Sequence, residues 1–201
     1  MTIQITYKGS ATYMGLEALR FGLSENVFRS ENPEHDCYCT KLMSDETGKK
    51  SCFLDGTLDV QSCLGVPVLL SLPHFLYADQ TYFRKVKGIS SPNKDEHEIY
   101  LLVEPNTGTP LQGMKRVQMN MILRPITFLE YTKNLPRAVY PLLWLEEGAS
   151  LTPDLVDEIN SKLFKVKKIA TYFLFALMGV VSVAIVASST HLVRTTFLLK
   201  R

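Results

Sequence analysis

The sequence predicts a mainly β, α+β protein. A β-rich portion (residues 1–151) is followed by a juxtamembrane amphipathic helix (152–168), a transmembrane helix (169–189) and a short tail (190–201). Three observations predict it. Residues 1–164 carry 16 Lys+Arg and all 20 Asp+Glu, whereas residues 165–201 carry 6 Lys+Arg and no acid, so a net charge of −4 meets one of +6. The run from Ile169 to Ser189 holds 21 residues without a charge. At about 1.5 Å per residue it covers the roughly 30 Å hydrocarbon core of a bilayer. Finally, residues 111–123 alternate without interruption: Leu111, Gly113, Lys115, Val117, Met119 and Met121 share one face, and Gln112, Met114, Arg116, Gln118, Asn120 and Ile122 the other. That run is long for an ordinary strand and suits a barrel wall.

The remaining elements follow in order. Residues 3–7 read as a short strand before a Gly9-Ser10 turn, and 24–36 as a polar loop. Residues 66–72 form an apolar run bounded by Pro67 and Pro73, consistent with a buried strand. Residues 79–87 suit a short helix before Gly88, and 99–103 a strand ended by the turn residues Glu104-Pro105-Asn106-Thr107-Gly108. Residues 139–145 form another apolar strand, with Pro141 placing it at an edge or a bulge. Thr152-Pro153-Asp154 starts a helix, with threonine as cap, proline in the first turn and an acid beside the positive end of the dipole. Leu155, Ile159 and Leu163 then line one side of a helix that runs into the span. Lysines and arginines at both ends of the span suit snorkelling to two interfaces. Gly179, Ser182 and Ala184 are small enough for close helix contact, and hence for a homo-oligomer.

Function classes narrow by exclusion. With 46% hydrophobic and 21% charged residues the chain is not a disordered or fibrous polymer, and a net charge of +2 gives no reason to expect nucleic acid. No nucleophile elbow, zinc-protease helix or phosphate loop occurs, so neither an enzyme nor a cofactor is expected. Ser91-Pro92-Asn93-Lys94 matches a Ser-x-x-Lys pattern but reads as a turn. Asp95-Glu96-His97-Glu98 reads as a solvated turn, and His74 as a structural, hydrogen-bonded histidine after an apolar strand. The four cysteines, Cys37, Cys39, Cys52 and Cys63, fit a four-thiolate zinc site or a disulfide framework. Zinc sites prefer two close pairs and only one is present, which favours disulfides and leaves no metal site expected. In an extended Cys37-Tyr38-Cys39 the two thiols point to opposite faces and pair most easily with different partners.

The residues also carry a resemblance. Cys37-Tyr38-Cys39, Leu58-Asp59-Val60, Gly65-Val66-Pro67-Val68 and Leu72-Pro73-His74-Phe75-Leu76-Tyr77-Ala78-Asp79 are followed in order by Glu96-His97, Glu104-Pro105 and Lys115-Arg116-Val117-Gln118-Met119-Asn120. Trp144-Leu145-Glu146-Glu147-Gly148 and the C-terminal span complete a pattern that resembles the class B scavenger receptor family. That family includes fatty acid translocase, the lysosomal integral membrane protein and the insect sensory neuron membrane proteins.

The resemblance implies a lumenal or extracellular ectodomain, here an incomplete antiparallel β-barrel, around an apolar tunnel. Through the tunnel, fatty acids, sterol esters, carotenoids or lipidic odorants, some delivered by lipoproteins, pass to the membrane. It also implies a Cys39–Cys52 disulfide, partners upstream of this sequence for Cys37 and Cys63, and a chain that is the C-terminal part of a receptor with two spans. The plasma membrane is the expected location, with endosomal or lysosomal membranes as the alternative. Val68, Leu70, Met119 and Met121 are the candidates for the tunnel wall. The competing reading is a tail-anchored cytosolic interaction protein with reduced or zinc-bound cysteines.

Overall fold

A computed structural model describes residues 4–29 and 52–199. The chain divides into two units, which meet between Leu151 and Thr152.

Among the described residues, the first unit forms an open sheet of seven antiparallel strands, the mainly β architecture that the alternating patterns predict. β1 (Ile5–Tyr13) and β2 (Leu16–Leu23) form a hairpin. Its turn is Met14-Gly15, both at positive φ (46° and 82°), rather than the expected Gly9-Ser10. Gly9 instead sits at a register shift inside β1, where φ of 138° relieves an irregularity without reversing the chain. Next come β3 (Leu58–Asp59), α1 (Gln61–Leu64) and β4 (Val68–Ser71). A 3-10 turn (Pro73–Phe75) leads to α2 (Gln80–Lys85), where the Asp79 carboxylate caps the helix by accepting from the Thr81 amide at 2.7 Å.

α3 (Lys94–His97) and β5 (Tyr100–Val103) precede the long β6 (Pro110–Leu123), whose partner β7 (Ala138–Ser150) runs beside it for almost its whole length. The Asp95-Glu96-His97-Glu98 stretch is therefore not a solvated turn: it forms α3 and its exit, and His97 and Glu98 are buried. The strand order is β1-β2-β5-β6-β4-β3. β5 and β4 share one edge of β6, pairing with Pro110 to Met114 and with Gln118 to Met121 respectively, and β7 takes the other edge. Among the described strands β7 pairs with β6 alone, and the register shifts opposite Pro141, so the proline lies there both at an edge and at an irregularity.

Two cores flank this sheet. Leu23, Val27, Phe28, Leu58, Val60, Leu72 and Leu76 form one, and Val68 and Leu70 pack against it. Phe53, Leu69, Phe75, Tyr82 and Val139 form the second, on the opposite side of β4 and β6. Gly56 fixes how closely the chain joins them. Its φ is +89°, and a Cβ there would fall 2.2 Å from the Cα of Ala78.

The second unit is one helical rod: α4 (Pro153–Ile159), a π-helical turn (Asn160–Phe164) and α5 (Lys165–Leu199). Thr152 is the N-cap as expected, although it caps with its backbone carbonyl, which accepts from the Val156 amide, and not with its hydroxyl. The π turn adds a residue to the helical ladder and breaks the four-residue repeat that Leu155, Ile159 and Leu163 would otherwise keep. Pro153 to Leu192 is long and apolar enough to cross a membrane. Its hydroxyls meet the demand of such a segment for internal hydrogen bonding: Thr171 donates to the Lys167 carbonyl and Ser182 to that of Met178, both at 2.8 Å. The helix continues into the expected tail as far as Leu199.

Candidate functional site

The register of the sheet assembles an apolar surface from residues far apart in the chain. Val68 lies opposite Met121 and Leu70 opposite Met119, so all four residues singled out in the sequence come together as two neighbouring cross-strand pairs. On the far side of β6, Met121 faces Tyr140, Met119 faces Leu143 and Val117 faces Leu145. Leu58 extends the row beyond Leu70. Directly opposed residues of antiparallel strands share a face, so these side chains form one continuous apolar patch. Leu58, Val68 and Leu70 are sheltered by the core beside them, and Val117 and Met119 are half-buried. Met121, Tyr140, Leu143 and Leu145 are exposed, at 36%, 46%, 49% and 52% of their surface. Sequence reading missed the β7 contribution because alternation alone does not say which strand pairs with which.

The opposite face of β6 is polar and buried. The Gln118 amide donates to the Asn120 carbonyl oxygen at 2.8 Å, and the Asn120 amide donates to the Ser71 hydroxyl at 3.0 Å and to the Leu69 carbonyl at 3.2 Å. The Gln118 carbonyl oxygen accepts the backbone N–H of His74 at 2.8 Å. Arg116 donates through Nε to Glu146 at 2.6 Å and through Nη1 to the Glu98 carbonyl at 2.7 Å. The Glu98 carboxylate in turn takes the Tyr77 hydroxyl at 2.9 Å and Arg20 at 3.3 Å. Burial, reinforced by the adjacent Glu98 carboxylate, pushes the Tyr77 phenol up to about 12, so it remains a hydrogen-bond donor at any physiological pH.

These groups bind one another and hold the covering segments in place. His74 is the hydrogen-bonded histidine that its position predicts, with Nδ1 at 3.0 Å from the Ser90 carbonyl. The Lys94 amine, one half of the Ser-x-x-Lys match, bonds Glu25 at 2.8 Å.

At the end of β5, burial raises the Glu104 carboxyl. Hydrogen bonds from the hydroxyl and amide of Thr107 and the side chain and amide of Asn106 outweigh it and bring the pKa to about 2. This carboxylate ties the turn that launches β6.

Of the cysteines, Cys52 is half-buried and takes part in a disulfide. Cys63 lies on the backbone of α1. Cys37 and Cys39 fall outside the described residues, as does most of the 24–36 loop.

Comparison with known proteins places the whole arrangement in context. The CD36 family pattern matches residues 1–192. The sequence is 37% identical over 182 residues to sensory neuron membrane protein 2 of Anopheles gambiae, covering 89% of this chain and 31% of that protein. It is 38% identical over 181 residues to sensory neuron membrane protein 2 of Aedes aegypti, covering 89% and 33%. It is 34% identical over 165 residues to sensory neuron membrane protein 1 of Pediculus humanus subsp. corporis, covering 82% and 30%. The chain thus spans about a third of the length of the curated relatives it matches.

Proposed function

The chain belongs to the CD36 family and is a membrane protein, and from that premise we propose that it forms the C-terminal part of a scavenger-receptor-like protein that binds hydrophobic ligands and passes them along an apolar tunnel to the membrane. The observation that carries this reading is the apolar patch of β4, β6 and β7, on which Met121, Tyr140, Leu143 and Leu145 are exposed. A hydrocarbon chain laid on that surface leaves water at a gain of about 25 cal/mol per Å² buried. Affinity then follows chain length more than head group. Met119 and Met121, unbranched and polarisable, adapt to ligands of different shape. No covalent chemistry is needed.

The Cys52 disulfide fits a location of residues 1–151 outside the cytosol, at the plasma membrane or an endolysosomal membrane. It also counts against a tail-anchored cytosolic protein with reduced or zinc-bound cysteines.

The test is equilibrium binding of a fluorescent long-chain fatty acid to the native protein in its own membranes, with Leu143→Arg set against Tyr131→Ser in the β6–β7 loop. The first variant is expected to weaken binding by at least about tenfold, roughly 1.4 kcal/mol, and the second to leave it unchanged. Unaltered binding by Leu143→Arg would remove the patch from the ligand path.

A further inference from the structure

We propose that His74 and His97 form a proton-operated latch, which holds the 72–78 segment against the sheet at neutral pH and releases it in acid. The two imidazoles stack with centroids 4.2 Å apart and planes within 12°. His97 is only 4% exposed, and Trp144 from β7 meets its ring in a T-shaped contact with centroids 6.1 Å apart. Its Nδ1 accepts the backbone N–H of Asn93 at 2.9 Å, which places the neutral ring's proton on Nε2. A second proton can therefore enter only at Nδ1, where it displaces the Asn93 hydrogen bond that helps to cap α3. The resulting cation would lie against the ring of His74.

The charges around the pair work in the same direction, with one exception. Burial holds His97 below the usual histidine range, and His74 lowers it further. Glu96, whose carboxylate is 4.0 Å from Nε2, pulls partly the other way from a mostly exposed position, and Arg116 of β6 lowers it again. The positive charge of Arg116 is shared with Glu146 of β7, its partner at 2.6 Å. His74 faces Ser90, whose hydroxyl lies 2.9 Å and carbonyl 3.0 Å from Nδ1, and it meets no carboxylate there.

The latched segment is primed to move. His74, Phe75 and Tyr77 all have positive φ, 54°, 56° and 60°, a conformation that non-glycine residues keep only while their surroundings enforce it. The same segment sends Leu72 and Leu76 into one core and Phe75 into the other, so its release loosens both sides of the sheet.

Hydrogen exchange of the 72–78 amides in the full chain, corrected for intrinsic rate, tests this at about pH 7.5 and about pH 5.5, either side of the ordinary histidine range. Protection in the wild type is expected to fall from the higher pH to the lower, as the buried pair takes up a proton. His97→Asn keeps an acceptor for the Asn93 amide but cannot take the proton, and should hold the same protection at both pH values. His74→Asn tolerates the left-handed backbone and removes the stacked partner, so its acid loss should be smaller than that of the wild type. Equal protection of the wild type at both pH values would overturn the latch. So would an undiminished acid loss in either variant. The measurement uses no lipid, so it stands or falls independently of the ligand reading.

Discussion

On one face of β6, Arg116, Gln118 and Asn120 are buried and hydrogen-bonded to β4, to β7 and to the segments that cover them. On the other, Val117, Met119 and Met121 look out through a row of half-buried and exposed apolar side chains. A soluble sheet normally does the reverse, with apolar residues inward and polar residues toward water. The polar face is thus structural, because each of its groups would be costly to leave without a partner in the interior. The apolar face is covered where Val68 and Leu70 meet the first core and exposed at Met121, Tyr140, Leu143 and Leu145.

The comparison can be broken most severely from the covered side. Gly56→Ala would drive a Cβ into the backbone of Ala78 at a left-handed position. It should cost about 3 kcal/mol or more, read as a lowered urea midpoint of the native protein in detergent. Arg116→Met removes the donor to the Asp95 and Glu98 carbonyls and should cost about 2–4 kcal/mol. Asn120→Ala removes the side-chain donor to the Leu69 carbonyl and the Ser71 hydroxyl and one acceptor of the Gln118 amide, at about 2–3 kcal/mol by the same unfolding assay.

Glu104 sharpens the picture through pH. Its folded-state pKa of about 2 lies below the usual 4.5, so the stability it contributes is complete above about 4.5 and is lost as pH falls toward 2. Glu104→Gln should flatten that part of the stability profile. The smallest effect is expected on the open face. Leu143→Ala should cost less than about 1 kcal/mol, because half of the side chain is already in water. A cost equal to that of Asn120→Ala would make the patch ordinary core.

Much of this division was legible in the sequence, and the reason is periodicity. The alternation of residues 111–123 assigns both faces of β6 correctly, and Pro141 marks an edge and an irregularity where both are found. Thr152-Pro153-Asp154 marks the start of α4, and residues 79–87 contain α2. The rest depends on contacts between distant segments. β2 was not read as a strand, because Leu16–Leu23 mixes Glu17, Arg20 and Gly22 into its pattern and gains its order from pairing with β1 and β5. The burial of His97 and Glu98 was likewise invisible. Four consecutive polar residues look solvated until Arg116, Tyr77 and His74 are brought to them from 18 to 23 positions away. The patch itself was half visible, since Met119 and Met121 announce a face but Tyr140, Leu143 and Leu145 join it only through register.

The most direct test of the apolar face is photo-cross-linking of the native protein in its own membranes with a fatty acid carrying a photoreactive group along its chain, followed by peptide mass spectrometry. The account predicts label on Met119, Met121, Tyr140 and Leu143, displaced by unlabelled fatty acid. Label confined to the apolar run 169–189, with none on β6 or β7, would contradict it.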